Sequence, residues 1–329
     1  MKRKYIYDLI IIVFLGLTFL YFQFYTPRSA IKLSQRIDET QAGNYDSDRI
    51  TLSKKYETYL AKWLPKGDKT PTIGHYYIGQ QRKLLDLRIE KAIDEVKTIV
   101  IPTRKVRIWS LLNMGVVVKT HDKIISIDTA NIPFVSIAHN ELTSIADIFL
   151  VTHADADHYD RQLLAEALKN KKTIIFPEGF YFTGEDNNPN IYKLKSGQRT
   201  NIDGIYVTAF KTDHRGDGNF QIPNCWFLIE VDGFKILHTG DGLAFQNPTE
   251  SQYLRDRRDI DIMLTNLMLS DENIRNIKPN VAVPLHLFKY IHSREQLKES
   301  TFESAIAKYD QKISGIDMKM LFAGEGFEY

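Results

Sequence analysis

The hydrophobic pattern divides the chain into three textures. Residues 9–22 read LIIIVFLGLTFLYF without a charge, directly after the basic triplet Lys2-Arg3-Lys4. A helix over Tyr5–Tyr25 would cover roughly 31 Å, close to the hydrocarbon thickness of a bilayer. Tyr5, Tyr7, Tyr21 and Tyr25 stand where interfacial aromatics belong, and Asp8 and Gln23 lie near the two ends. A buried core helix does not account for the basic cluster. A cleaved signal peptide would put Arg28 two residues before the candidate cut-site residue Ala30, where a small residue is wanted. The pattern therefore predicts an uncleaved signal anchor over residues 1–28, one transmembrane helix with the bulk of the chain on the extracytoplasmic side.

The second texture, residues 29–103, is charged, with apolar residues at three- and four-residue spacing over Asp48–Leu64 and Gly79–Val100. Leu84, Leu87, Ile93 and Val96 form one such stripe. Breakers fall between the two stretches, at Pro65-Lys66-Gly67-Asp68 and Pro71-Thr72-Ile73-Gly74. This is a helical juxtamembrane arm, either packed on the main domain or free to bind a partner. It holds no catalytic constellation, and His75 reads as an ordinary surface or packing residue.

From residue 104 to 329 the texture is short apolar runs. They fall at Val106–Leu112, Gly115–Thr120, Lys123–Asp128, Ile148–Val151, Thr173–Phe176, Gly204–Phe210, Trp226–Val231, Phe234–His238, Ile262–Leu264, Val281–Pro284 and Met318–Phe322. Helical patterns intervene at Asp160–Lys169 and Ser293–Tyr309. Many strands with a few helices predict a layered α/β domain.

Composition narrows the chemistry. With 43% hydrophobic and 26% charged residues the chain is of globular type, which excludes wholesale disorder and a polytopic membrane protein. Lys+Arg number 43 against 41 Asp+Glu, so the net charge of +2 gives no electrostatic case for a nucleic-acid partner. The single cysteine, Cys225, excludes an intrachain disulfide framework and any Cys-rich metal site. Histidines and acids must carry the chemistry.

They are concentrated after the run Ile148–Val151, in Thr152-His153-Ala154-Asp155-Ala156-Asp157-His158-Tyr159-Asp160. Alternate residues of an extended loop point the same way, so His153, Asp155 and Asp157 can converge while His158 turns in from the following helix. Zinc and related ions want three or more such groups on rigid elements, with a position left for water. Helix capping explains Asp160 but not two histidines.

The segment resembles the H-x-H-x-D-H signature of the metallo-β-lactamase fold, with Asp155 in place of the second histidine. Further landmarks follow in the family's order: His214 in Phe210-Lys-Thr-Asp-His, Asp241 in His238-Thr-Gly-Asp-Gly, and His286 in Val283-Pro-Leu-His. Asp128, ending Ile124-Ile-Ser-Ile-Asp, matches an early strand-end aspartate that is structural rather than a ligand. Phe322-Ala-Gly-Glu is similar to the C-terminal turn of the ascorbate-6-phosphate lactonase-like branch. That branch borders N-acyl-phosphatidylethanolamine phospholipase D, to which Trp109-Ser-Leu-Leu-Asn-Met-Gly is a loose match.

The resemblance implies a four-layer αββα sandwich over residues 104–329 and a metal-dependent hydrolase with two divalent ions, zinc foremost. It places His153, Asp155 and His214 on the first metal and Asp157, His158 and His286 on the second, with Asp241 bridging. A hydroxide shared by the two metals would attack the substrate, with Asp157 and Asp241 as the catalytic carboxylates, Asp157 also orienting the hydroxide, and no general acid assigned. His238 reads as supporting or packing, and His121, His139 and His292 as surface residues. The departure at Asp155 raises the protein's contribution from a formal −2 to −3, which weakens the metals as Lewis acids and shifts preference towards manganese or iron. It also argues against β-lactam hydrolysis. An ester, lactone or phosphodiester bond in a small molecule, lipid or envelope metabolite is the expected target. The alternative is a membrane-anchored scaffold that keeps the fold without catalysis.

Overall fold

Runs of β-branched residues set the first sheet. Ile124-Ile-Ser-Ile and Val116-Val-Val favour the pleated, half-buried surface of a strand, and they pair antiparallel as β3 (Ile124–Ile127) and β2 (Val116–Lys119). In the computed structural model, which describes Val13 and residues 27–61, 80–130, 138–182, 187–214, 218, 220–267, 269–287, 300–309 and 315–329, this pair is the centre of a 7-stranded sheet. Its order is β15-β1-β2-β3-β4-β5-β6, with β1 at Arg107–Ser110, β4 at Ile148–Leu150, β5 at Thr173–Pro177, β6 at Ile191–Leu194 and β15 at Gly326–Glu328.

The second sheet has the order β11-β8-β9-β10-β12-β13-β14, with β7 also paired to β8. Its members are β7 (Arg199–Ile202), β8 (Ile205–His214), β9 (Cys225–Val231), β10 (Phe234–His238), β11 (Gly242–Phe245), β12 (Ile262–Asn266), β13 (Val281–Leu285) and β14 (Asp317–Met318). The Asp232-Gly233 turn makes β9–β10 a hairpin, whereas β10, β12, β13 and β14 run parallel and need crossovers.

Residue parity then builds the layers. Ile108, Val116, Val118, Ile125, Ile127, Ile148 and Leu150 of the first sheet share one buried cluster with Val207, Phe227, Ile229, Ile262, Leu264 and Val283 of the second. Their neighbours Trp109, Val117, Phe149, Leu228, Leu237 and Met263 point the other way, into a cluster shared with helices. This is sheet packed on sheet with helices outside. The helices of this domain are α4 (Ala138–Ile145), α5 (Arg161–Lys169), α6 (Pro248–Asp256), α7 (Asp271–Ile277) and α8 (Phe302–Tyr309). Asp160 caps α5, accepting from the backbone N–H groups of Gln162 and Leu163. The helix expected over Ser293–Tyr309 is described only from Phe302. Of Met318–Phe322 only Met318 lies in β14, because Met320 turns away and donates its N–H to the carbonyl of Gly43.

Gly43 belongs to the arm, which is docked. Its helices α1 (Arg28–Asp38), α2 (Ser47–Ala61) and α3 (Gln80–Thr98) bury Ala30, Ile37, Leu52, Tyr56, Leu84, Leu85, Ile89, Ile93 and Val96 in the same cluster as the outer faces of the sheets. Three of the four residues of the expected stripe are fully buried, and Leu87 is half-buried. Two charges accompany them. Arg49 is fully buried and makes a two-pronged pair with Glu325, 2.9 and 2.7 Å, with its guanidinium over the Phe322 ring. Arg88, also fully buried, reaches Asp38 and the Ala323 carbonyl. Gly324, at φ +75°, is forced by this contact: a Cβ there would lie 2.1 Å from the Arg88 carbonyl oxygen.

The expected membrane span lies outside the described residues apart from Val13. Among the described residues no helix is long and apolar enough to cross a membrane. His75 and His292 also lie outside them.

Candidate metal centre

Six strand ends supply the site, all on one edge of the sandwich. Asp128 follows β3, His153 to His158 follow β4, His214 ends β8, Asp241 follows β10, Asn266 ends β12 and His286 follows β13. Carboxyl ends of parallel strands gather here because helices return the chain to the opposite edge between them.

The structure brings all seven predicted side chains together. His153, Asp155 and His214 offer donor atoms within 4.8 Å of one another, as do Asp157, His158 and His286, and as do His153, His158 and Asp241. The spacings are informative. His214 Nε2 lies 3.2 Å and His153 Nε2 3.7 Å from Asp155 Oδ2. His286 Nε2 lies 3.3 Å and His158 Nε2 3.8 Å from Asp157 Oδ2. Asp241 Oδ1 is 3.4 Å from His158 Nε2 and 3.7 Å from His286 Nε2. Donors around a tetrahedral ion, each at about 2.1 Å, stand about 3.4 Å apart, whereas charge-assisted hydrogen bonds are shorter, at about 2.8 Å. The Nε2 atoms of His153, His158 and His214 are buried without a hydrogen-bond partner, which costs free energy unless something else satisfies them. A divalent ion in each of the first two sets would satisfy them, and the residues present fit it.

The second layer fixes which nitrogen faces inward. Thr152 donates its backbone N–H to Asp128 Oδ1 and its hydroxyl to Asp128 Oδ2, at 2.8 and 2.6 Å. With that hydroxyl proton committed, His153 Nδ1, 3.0 Å from Thr152 Oγ1, must be the donor. His158 Nδ1 donates to Asp128 Oδ2 at 2.8 Å. Both rings therefore turn the Nε2 lone pair towards the candidate metal positions. Asp128 touches none of these positions and acts through the rings it holds. Thr152 also explains Gly240, where a Cβ would come within 2.7 Å of the Thr152 hydroxyl.

Electrostatics in the metal-free cluster are those of crowded acids and imidazoles. The His153 and His214 rings beside Asp155 hold its carboxyl far below the usual range. Burial pushes Asp157 up, but His158 and His286 outweigh it and leave it low. Asp241 behaves alike, burial being overcome by His286 and His158. His158 is pushed down by burial yet ends well above its ordinary value, because Asp241, Asp128 and Asp157 surround it. His153 is lowered, by burial first and by the neighbouring His158 second. A divalent ion must therefore displace a proton from His158. Metal affinity should rise with pH up to the raised pKa of that ring and level off above it, by about tenfold per unit on the rising limb. Competition titrations with a chelating dye across the acid-to-neutral range measure this, and an affinity independent of pH would count against His158 as a ligand.

Sequence reasoning missed four supports. Asn113, at φ +51°, donates its Nδ2 to Asp157 Oδ2 at 3.1 Å and accepts the His286 N–H on its carbonyl at 3.0 Å. The next carbonyl, Met114, accepts from His238 Nε2, and His238 Nδ1 accepts the Gly240 N–H beside Asp241. One turn thus braces three ligand-bearing loops, and His238 has the supporting place expected of it. Asn266 donates to Asp241 Oδ1. Asp213, fully buried, accepts the N–H groups of Leu243 and Ala244, tying the β8 end to the chain after Asp241. Only the position of Asn113 just before Gly115, at the close of an apolar run, hinted at a special turn. Asn113→Ala should weaken metal binding about 10- to 100-fold, with Asn113→Asp no better because it sets a second carboxylate against Asp157. Isothermal titration with zinc measures both. His121 is half-exposed, as expected.

The site opens to solvent on one side. Asp155 keeps 39% of its side chain exposed, against 0% for His153 and His158.

Comparison with known proteins agrees with this architecture. The family profile described as a beta-lactamase superfamily domain matches residues 115–286, just over half of the chain and every candidate ligand. A UPF0173 metal-dependent hydrolase of Thermococcus onnurineus is 33% identical over 106 residues, covering 31% of this chain and 46% of the relative, so the match spans less than half of that protein's length. One from Salinibacter ruber is 26% identical over 188 residues, covering 53% of this chain and 80% of the relative. In fold, the chain is similar to Igni18, a metallo hydrolase of Ignicoccus hospitalis, with a TM-score of 0.51 at 17% identity over 68% of this chain and 98% of that one. The chain belongs to the beta-lactamase superfamily and has its metallo-β-lactamase fold.

Proposed function

We propose that this protein is a metal-dependent hydrolase that uses two divalent ions, zinc foremost and manganese or iron as alternatives, to cleave an ester, lactone or phosphodiester bond. The observation that carries the reading is the set of buried, unpartnered Nε2 atoms spaced from carboxylates as ligands around ions are. The relatives described as metal-dependent hydrolases support it.

His153, Asp155 and His214 would hold the first ion and Asp157, His158 and His286 the second, with Asp241 within reach of His158 and His286. When bound, the ions supply Lewis acidity towards the scissile group and lower the pKa of the attacking water. Asp157, held in place by Asn113 Nδ2, would orient that water. The buried rings of His153 and His158 exclude bulk solvent, and the Asp155 side admits the substrate. The extra negative charge of Asp155 would temper the Lewis acidity of an ion held there.

The residues before the arm are proposed to anchor the protein in a membrane as a single-pass span, with the domain on the extracytoplasmic side. That location, with the likeness to the lactonase and phospholipase branches, favours a lipid or envelope metabolite as substrate. Reporter fusions at the C-terminus, active only in the compartment that holds the domain, test the orientation. The central test is metal analysis of the purified chain. We expect two equivalents per chain, with hydrolysis of generic phosphodiester or ester reporters lost on chelation and restored by zinc, manganese or iron. A chain that binds no metal and hydrolyses none of them would favour a non-catalytic scaffold.

A further inference from the structure

The start of the arm lies on the edge of the sandwich that carries the metal centre. Tyr56 of α2 and Leu85 of α3 border one small space together with Leu112, Asn113 and Leu287. Asn113 donates to Asp157, and Leu287 follows His286, so this is the metal edge. From Leu85, α3 runs to the opposite edge, where the carbonyls of Val96 and Ile99 accept from Lys119 at the far end of β2. Helix α1 lies antiparallel to α2. At one end Arg49 donates to the Thr40 hydroxyl, just after α1; at the other the Ser29 side chain hydrogen-bonds Tyr59, one turn beyond Tyr56. Pro27 and Arg28 therefore stand on the metal side, and the residues before them join the domain there.

Three large apolar side chains are exposed on the same edge. Ile31, 38% exposed, is in the first turn of α1. Tyr181, 70% exposed, follows β5, whose parallel pairing with β4 brings both strand ends to the metal edge. Its neighbour Phe180 packs edge-on against Tyr159, the residue after His158, with ring centroids 5.3 Å apart. Ile222, 38% exposed, lies between β8 and β9, and Cys225, which opens β9, donates its N–H to the Thr152 carbonyl beside His153. The two loops adjoin, since a Cβ at Gly179 would lie 3.4 Å from Pro223. Tyr181 and Ile222 thus stand on loops that flank the one bearing Asp155. Singly exposed apolar residues are ordinary; these share an edge with the point where a long apolar run joins the domain.

Resting on the anchor and hydrolase readings, we propose that the metal edge faces the membrane and that the substrate is a lipid presented from that membrane. Ile31, Tyr181 and Ile222 meet the bilayer at head-group depth, where tyrosine's apolar ring and polar tip are both accommodated. The open Asp155 side then takes an ester or phosphodiester bond lying at the same depth. An anchor joined at the opposite edge would hold the site away by the height of the sandwich, since the 10 residues of β8 span roughly 33 Å.

Site-specific labelling reads the orientation without any substrate, because Cys225 is 1% exposed and does not compete for the label. The full chain is reconstituted into phosphatidylcholine–phosphatidylglycerol vesicles whose head groups carry a quencher. A fluorophore on Tyr181→Cys or Ile222→Cys should lose roughly half of its emission or more, as befits side chains seated in the head-group region. The same label on Val100→Cys, at the opposite edge, or on Tyr206→Cys, at the start of β8, should keep nearly all of it. A flexible spacer of about 20 Gly and Ser residues between Thr26 and Pro27 relaxes the orientation. It should slow hydrolysis of a vesicle-borne p-nitrophenyl ester about fivefold or more and leave soluble p-nitrophenyl acetate unchanged. Equal quenching at the four positions, or stronger quenching at the Val100 and Tyr206 positions, overturns the orientation. An unchanged vesicle rate with the spacer overturns the lipid substrate. A chain that does not sediment with vesicles strikes the anchor reading and this proposal with it. Quenching confined to the metal edge in a metal-loaded chain that cleaves neither ester strikes the hydrolase reading and leaves the orientation standing.

Discussion

Asp157→Ala is expected to lower hydrolysis of a phosphodiester or ester reporter by about a thousandfold or more, and to reduce bound metal from two equivalents to about one. The substitution removes the carboxylate that faces His158 and His286 and deprives Asn113 of its acceptor. The two readouts belong together. Lost activity with full metal content would make Asp157 an orienting group only, and retained activity would place the chemistry elsewhere. Asp157→Asn separates charge from shape, since it keeps an oxygen but not the anion, and it should lie close to the alanine variant if charge is what the ion needs. A thermal shift on adding zinc gives a third measure, smaller in both variants than in the natural sequence.

The other large effect lies where the arm meets the C-terminal turn. Arg49→Ala leaves Glu325 buried and unpaired, and breaking a buried pair in this way costs about 3–5 kcal/mol. Denaturant unfolding should show the loss as a lower midpoint, and Glu325→Ala should show one of similar size. The double replacement Arg49→Met with Glu325→Leu should recover most of it, because an apolar pair of similar volume needs no compensation. Equal instability in the double and single variants would mean that the two charges do not act as a pair. A fall below the natural stability with full metal content retained would separate docking of the arm from assembly of the site.

Much of this architecture was legible in the sequence, and the failures have physical causes. Long, mostly apolar runs such as Trp226–Val231 are strands because both faces of their sheet are covered. The cluster from His153 to His158 was legible because few segments put two imidazoles and two carboxylates in the loop leaving a strand. β6, β7, β11 and β15 escaped notice. β7, for instance, alternates exposed with half-buried residues and carries no apolar signal. β8 runs on past Phe210 to His214 because β11 lies against its end, pairing Gly242 with His214, a long-range partnership that no local pattern announces. Arg49 and Arg88 read as solvated charges on a polar arm and are instead fully buried, since their partners lie 276 and 235 residues away. Asn113 was hidden for a different reason: its role depends on a backbone conformation and a carbonyl, neither of which a residue type reveals.

The pairing of Arg49 with Glu325 has a further consequence for how the protein is made. At about 5–20 residues per second, a ribosome takes roughly 14–55 s to travel the 276 residues between them. β1 meets a shorter wait of the same kind, because its neighbour β15 is made about 219 residues later. Through that interval Arg49 has no carboxylate to receive it. A chain that stops before Glu325 lacks both the carboxylate that pairs with Arg49 and the strand that pairs with β1. Truncation at Phe322 should therefore yield a chain held by chaperones or degraded rather than a slightly shorter enzyme.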